Sequence, residues 1–432
     1  MIINQYYPET DGRAHLYKRY RDSEGRLIEQ TVTPDDFEPY FWIDANMSDT
    51  LVNNTLARYP GSRIDRSSTA KSLPNLHNPE KNLVKIIAHR PGEIGNMRRE
   101  LKPTWEADLR YVDRYLIDEY PTMPDWKPRV WHFDLEWDPE HDFTTVMAVI
   151  DSYTNEKRLF CWKEGVETMF TDNREIENED YSYIRYCYTS EKEMHNAFLD
   201  YLDECNPDVL VAHAIMWADL PHLVRRLKDF RRLSPLNRVR RPPKGKRGYE
   251  YTDQPILGRL CFDTAAPYDS GTGFERVWKD SGNPQLPGLK LNDIATELGY
   301  GGKFDMDVFT GWYERFDDYC DYCMQDTVLV KRIDEENHVL DFFFSLQRIC
   351  GVAFESCHNV TRFSRGLLSR RTDWKAPTHS NTDKVEYEGA FIPPPNPGRY
   401  EGVACVDYKG LYPSIILSHN LSWETQVRGG NE

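Results

Sequence analysis

Two proline-rich breaks, Tyr120-Pro-Thr-Met-Pro-Asp-Trp-Lys-Pro128 and Pro393-Pro-Pro-Asn-Pro397, bracket a long stretch in which short apolar runs alternate with amphipathic ones. That alternation limits the fold more than any other feature of the chain. Arg129–Glu136, Thr144–Asp151 and Lys157–Trp162 have the length and residue types of strands. Ser190-Glu-Lys-Glu193 is a capping box, after which Met194, Phe198 and Leu202 fall at i, i+4 spacing, as on one helix face. Asp208–Ala212 predicts a short buried strand, a helix follows from about Asp219, and Leu291–Leu298 and Phe316–Asn337 predict two more helices. Strands alternating with helices over roughly 126–340 predict a mixed α/β domain. Before it, residues 1–50 alternate polar and apolar with turns at Asp11-Gly12 and Glu24-Gly25, as β-hairpins do, ending at Phe37–Trp42. After the second break, Gly402–Tyr408 predicts a strand and Tyr412–Ser418 the start of a helix. The expected division is a β-rich N-terminal domain over 1–125, joined by about 341–380, the α/β domain over 126–340, and a third region over 381–432.

Several classes are excluded at once. The longest apolar stretches, such as Val209–Leu220 and Val339–Leu346, fall short of the roughly 20 residues a membrane helix needs. The opening Met1-Ile-Ile-Asn-Gln-Tyr lacks the basic and apolar regions of a signal peptide. Nine cysteines, an odd number scattered over 432 residues, fit reduced thiols better than a disulfide framework. Cys320 and Cys323 have the spacing of a zinc half-site, but no second pair lies in range, so buried thiols are expected. These features predict a cytoplasmic protein of a bacterial, archaeal or virus-infected cell, with no membrane partner. Against 54 Lys and Arg stand 70 Asp and Glu, and the net charge of −16 opposes phosphate binding. The basic residues are nonetheless concentrated: Arg225–Arg247 holds eleven of them against the single acid Asp229. Such a run is either a solvated helix end and loop or a patch that faces nucleic acid through Arg238, Arg240, Arg241 and Lys244.

The carboxylates carry the chemistry. Asp134 and Glu136 are two apart on a predicted strand, so both leave the same face, beside Trp131 and Phe133. Like charges placed so repel unless a cation lies between them. Tyr322 and Asp326 are i, i+4 on a predicted helix whose buried stripe also holds Tyr319, Cys323, Val330 and Ile333. Asp219 opens a helix just after a short apolar strand. Taken singly, each has a plain structural reading: a solvated strand end, an internal salt bridge, an N-cap. Asp138, Glu140 and Asp142 are expected in a wet acidic loop. Together, four carboxylates supplied in this order can bind two divalent ions that cleave a phosphodiester. Hard oxygen donors suit Mg²⁺ or Mn²⁺ rather than zinc.

Phe133-Asp-Leu-Glu136, Asp219-Leu-Pro-His-Leu223 and Tyr322-Cys-Met-Gln-Asp326 resemble the three motifs of the proofreading 3′→5′ exonuclease domain of family B DNA polymerases, which has a ribonuclease H-like fold. Leu233-Ser-Pro-Leu-Asn-Arg-Val239, Gly258-Arg-Leu-Cys-Phe-Asp263 and Leu291-Asn-Asp-Ile-Ala-Thr-Glu-Leu-Gly299 add matches, and Phe37-Glu-Pro-Tyr-Phe41 resembles the family's N-terminal domain. The resemblance implies that Asp134, Glu136, Asp219 and Asp326 hold two Mg²⁺ or Mn²⁺ ions and that Tyr322 positions the attacking water. It also implies that the basic run lies near the primer strand. One departure stands out: relatives have Asn five residues before the second-motif Asp and Phe just before it, where this chain has Ala214 and Ala218.

Further on, Tyr387-Glu-Gly-Ala390 resembles the family's link between exonuclease and polymerase regions, with Tyr387 and Gly389 implied as DNA contacts. Asp407-Tyr-Lys-Gly-Leu-Tyr-Pro-Ser-Ile-Ile416 resembles polymerase motif A, with Gly410 in place of the usual Ser. The resemblance implies one shared metal at Asp407, a triphosphate met by the backbone of Gly410, Leu411 and Tyr412, and a sugar packed on Tyr412. A second catalytic Asp-Thr-Asp turn and a fingers helix are not found before Glu432. The expectation is the N-terminal part of a split family B DNA polymerase, with 3′→5′ exonuclease activity of its own. Its partners would be a primer-template, a single-stranded DNA 3′ end, dNTP, and a second polypeptide supplying the remaining palm, fingers and thumb. The alternatives are a non-catalytic DNA-binding scaffold with a degenerate exonuclease, or a truncated fragment acting only as a nuclease.

Overall fold

The computed structural model describes residues 1–74, 79–165, 168–176, 181–245, 248–270, 272–302, 306–307, 309–378, 391, 393–394, 396–404, 406 and 410–422. The chain divides into two compact units, Met1–Pro39 with Leu109–Thr372 and Tyr40–Asp108 with Asp373–Glu432.

The first unit is built on a seven-stranded mixed sheet in the order Phe170–Glu175, Ser182–Tyr188, Lys157–Trp162, Thr144–Asp151, Val130–Trp137, Val209–Ala212 and Leu260–Asp263. Val130–Trp137 lies antiparallel to Thr144–Asp151 on one side and parallel to Val209–Ala212 on the other. This is the mixed α/β architecture expected from the alternation. Side chains of a strand point to opposite faces in turn, and both faces here are apolar. Trp131, Phe133 and Leu135 pack on Met194, Phe198 and Leu202 of the helix Glu191–Cys205. Val146, Ala148 and Ile150 face Tyr319, Cys320, Cys323 and Met324 of the helix Phe316–Glu336. The helix Glu191–Cys205 starts where its capping box places it, with the Ser190 hydroxyl accepting from the Glu193 amide at 3.3 Å. Among the described residues no helix is long and apolar enough to cross a membrane. Eight described cysteines are free and buried.

The same unit holds an antiparallel meander, Ile2–Tyr6, His15–Arg21 and Leu27–Val32, with turns where Asp11-Gly12 and Glu24-Gly25 predict them. Charge ties it to the large sheet. Asp208, fully buried just before Val209–Ala212, accepts from Arg19 Nε at 2.9 Å, Arg21 Nε at 2.8 Å and the Arg129 amide at 2.8 Å. A carboxylate out of water persists only when its oxygens are filled in this way.

The second unit has a five-stranded sheet in the order Trp374–Lys375, Arg63–Ser72, Asn82–Ile87, Tyr40–Asp44 and Thr104–Trp105. Phe41, Ile43, Val84 and Ile86 form its core with Val52 of the helix Asp49–Leu56 and Ile94 and Met97 of Pro91–Glu100. The helix Leu411–Ser418 forms as expected, but 402–404 and 406 are not strand. A strand needs a hydrogen-bonded neighbour, and these residues have no ladder partner among the described ones.

Replacing Asp208 strands two buried guanidinium groups. We expect Asp208→Ala to cost on the order of 3–5 kcal/mol, read as a lowered urea midpoint by far-ultraviolet circular dichroism. An unchanged midpoint would show that this ion cluster does not hold the meander.

Candidate active site

The motif strand Val130–Trp137 and the helix Phe316–Glu336 meet face to face, and a buried side-chain hydrogen bond fixes their register. His132 Nε2 lies 2.8 Å from Asp334 Oδ2, with both side chains nearly fully buried. The other oxygen, Asp334 Oδ1, accepts from the Leu340 amide at 2.9 Å. With His132 pinned, the strand's two-residue repeat carries Asp134 and then Glu136 along the same face. Two helical turns back from Asp334 stands Asp326, which is only 1% exposed. Asp134, Glu136 and Asp326 converge there: their ligand oxygens all lie within 4.8 Å of one another. Asp134 is 9% exposed, so this is a recess rather than an open acidic surface. A bulge follows at once, where the register slips between Glu136 and Trp137. Bulges of this kind re-aim side chains beside functional sites.

A thiol closes the floor. Cys323 Sγ lies 3.7 Å from Asp134 Oδ2 and 3.8 Å from the Asp134 carbonyl. Burial, followed by the charges of Asp134, Glu136 and Asp326, pushes this thiol well above its usual range. Cys323 thus remains a neutral donor. The expectation of buried thiols holds for Cys320 and Cys323, which lie in the core.

The remaining motif residues fall as follows. Tyr322 is buried one turn before Asp326 on the same helix. Asp219 is 3% exposed and is the first residue of the helix Asp219–Arg226, whose N-cap is Ala218. The plain N-cap reading of Asp219 therefore fails. It stands outside the group of three carboxylates. His213 does not take the place of the missing Asn, because its ring is held elsewhere, Nδ1 at 3.1 Å from Thr264 Oγ1 and Nε2 at 2.8 Å from the Leu289 carbonyl. The wet-loop expectation also fails at Asp138, which is 5% exposed. Its oxygens accept from the Glu140 and His141 amides at 2.8 and 2.7 Å and from the Tyr313 hydroxyl at 2.6 Å, organising the turn after the motif strand.

Four arginines of the basic run are paired with acidic residues. Arg225 meets Asp142, Arg226 meets Glu191, Arg232 meets Asp200 and Asp203, and Arg240 meets Asp253. Arg238 lies over the Tyr6 ring at 5.4 Å and Arg241 over Phe230 at 4.6 Å. Lys244 is exposed on a small ribbon, Lys244–Gly245 with Gly248–Tyr249. Of the motif A residues, Gly410 has φ of 66°, a left-handed conformation that favours glycine and accounts for its presence instead of Ser. Leu411 and Tyr412 are exposed in the helix it starts. Asp407, Tyr387 and Gly389 lie outside the described residues.

The structure is a mixed α/β domain followed by the start of a second region, and comparison with known proteins gives both a family. Residues 121–268 match the exonuclease domain of DNA polymerase family B, and residues 348–432 match DNA polymerase family B itself. A DNA polymerase of Pyrococcus glycovorans is 26% identical over all of this chain and 55% of its own length. One of Desulfurococcus sp. (strain Tok) is 25% identical with the same coverages. The solved family B DNA polymerase of Pyrobaculum calidifontis shares the fold, with a TM-score of 0.65 at 20% identity over 98% of this chain and 57% of that one. The chain belongs to DNA polymerase family B and corresponds to its N-terminal half, spanning about half the length of these relatives.

Two buried histidines behind the site give it an acid limit. His222, 2% exposed, stacks on Trp137 at 4.8 Å and lies 3.0 Å from Thr144 Oγ1, while His195 is 6% exposed near Glu191. Burial pulls both down to about 4. Below pH 6.5 the unfolded chain takes up protons that the folded one refuses, so stability falls as pH drops from about 6.5 towards 4. The slope is up to about 1.4 kcal/mol per pH unit for each histidine. Urea midpoints at pH 7 and 5 should show the loss, and His222→Gln should flatten it; equal slopes for both proteins would refute the assignment.

Proposed function

We propose that this chain carries the 3′→5′ exonuclease of a family B DNA polymerase and the first part of its palm. The observation that supports this most is the convergence of Asp134, Glu136 and Asp326 within 4.8 Å, two of them in the segment that matches the exonuclease family. The donor set fits hard divalent cations: three carboxylates, with the neighbouring cysteine kept neutral. Mg²⁺ or Mn²⁺, when bound, would lower the barrier by activating water and stabilising the leaving oxygen. Asp134 and Glu136 would hold the cations from the strand, Asp326 from the helix, and Asp219 would be the fourth ligand. Tyr322 would orient the water that attacks the last phosphodiester of a single-stranded 3′ end. The exonuclease body is proposed to be 126–340.

For synthesis, we propose that the remaining palm, fingers and thumb come from a second polypeptide, with Asp407 and the backbone of Gly410, Leu411 and Tyr412 completing a nucleotide site. The helix Leu411–Ser418 supports a missing neighbour: Leu411, Tyr412, Ile415, Ile416 and Leu417 are all at least 40% exposed. An apolar face of this kind ordinarily lies against protein.

A 5′-labelled single-stranded oligonucleotide incubated with Mg²⁺ or Mn²⁺ should shorten from its 3′ end. Asp134→Ala should reduce the rate by about a thousandfold, since such metal sites contribute several kcal/mol. Shortening that persists in Asp134→Ala, or never occurs at any metal concentration, would favour the scaffold reading. Nucleotide incorporation is expected only when a chain carrying the rest of the palm is added.

A further inference from the structure

We propose that Cys323 is a positioning residue of the carboxylate site: its thiol donates to Asp134 Oδ2 and holds that carboxylate where it meets Glu136 and Asp326. The inference rests on the exonuclease reading above and adds to it a side chain that acts through a metal ligand without being one. Cys323 Sγ lies 3.7 Å from Asp134 Oδ2 and 3.8 Å from the Asp134 carbonyl oxygen. An ionised carboxylate and a carbonyl only accept, so the hydrogen between these oxygens and the sulfur is the thiol's own.

Asp134 needs such a holder. The torsion that turns an Asp carboxylate is soft, with broad and roughly two-fold preferences. Glu136 and Asp326 also repel it, since the ligand oxygens of all three lie within 4.8 Å of one another. Left to itself, the Asp134 carboxylate would swing away from the other two whenever no cation gathers them. A donor on Oδ2 opposes that swing and keeps the ligand set assembled in advance, as supporting hydrogen bonds do around metal sites.

The thiol is itself fixed. Cys323 is fully buried in a cluster with Val146, Ala148, Tyr319 and Met324, so the sulfur reaches the recess from its dry side. A hydrogen bond in such surroundings is stronger than one in water. The Thr327 hydroxyl donates to the Cys323 carbonyl at 2.9 Å, and Thr327 is fully buried as well. Cys323 and Asp326 are three apart on the helix Phe316–Glu336 and share one side of it. One helical turn therefore presents a carboxylate to the recess and a donor to the carboxylate of the facing strand, and the two walls keep step. The residue type suits this task. Lys or Arg in its place would bring a positive charge that competes with the cations, and a thiol holds the carboxylate without one.

Mn²⁺ affinity in the absence of DNA, read from the paramagnetic resonance of the free ion with the full chain, tests the contact apart from excision. The affinity of interest is that of the binding which Asp134→Ala abolishes. Cys323→Val fills the space without donating and should weaken this binding about tenfold, the low end for losing the partner of a metal ligand, because a thiol is a weak donor. Cys323→Ser restores a donor and should bind Mn²⁺ more tightly than Cys323→Val. A packing role predicts the reverse order, and that order would overturn the proposal. The unaltered protein carries a signature of its own: one infrared S–H band should shift in Asp134→Asn and shift again when Mg²⁺ is added to the unaltered protein. An S–H region unmoved by either change would overturn the proposal even if both Cys323 variants failed to fold. Unweakened Mn²⁺ binding by Cys323→Val, beside inactive Asp134→Ala, would overturn it while leaving the exonuclease reading in place. Absence of excision by the unaltered protein would remove that reading, with the S–H band still deciding whether the thiol holds Asp134.

Discussion

The pairing of His132 with Asp334 is the constraint from which the site follows. A strand facing a helix across a sheet has many apolar registers of similar energy, since Val, Ala and Ile at alternate positions slide past one another at little cost. A buried, directional hydrogen bond at 2.8 Å has only one. Removing either partner would leave a buried polar atom of the other without this bond, so the interface is locked where the two meet. From that lock, the strand's two-residue repeat and the helix's turn place Asp134, Glu136 and Asp326 around one recess. Polar groups in the core here define a geometry rather than add stability for its own sake.

Much of this geometry was legible in the residues. Alternation on Val130–Trp137 put Asp134 and Glu136 on one face, and i, i+4 spacing put Tyr322 and Asp326 on one side of Phe316–Glu336, because both periods are fixed by backbone geometry. His132 and Asp334 carry the same periods, two residues from Asp134 and eight from Asp326, and the signal was present but unused. What stayed illegible depended on partners distant in sequence. Asp138 sits in an acidic stretch and is buried only because Tyr313 and the turn amides reach it. Residues 402–404 and 406 belong to a segment of strand composition, yet strand formation belongs to a pair and not to a segment.

The charge distribution was likewise hard to read in one dimension. Arg225–Arg247 contains a single acid, but Asp142, Glu191, Asp200 and Asp253 come to it from other elements. These contacts neutralise Arg225, Arg226, Arg232 and Arg240, while Lys244 stays exposed on the ribbon. That arrangement is compatible with a protein of net charge −16.

Cys323, the thiol beneath Asp134, is 189 residues away from it along the chain, and Asp326 lies one turn farther still. The helix Phe316–Glu336, which closes the acidic recess, is therefore made long after the strand that carries Asp134 and Glu136. A growing polypeptide carries those two carboxylates through the synthesis of everything between Trp137 and Asp326 before the third wall that gathers them exists.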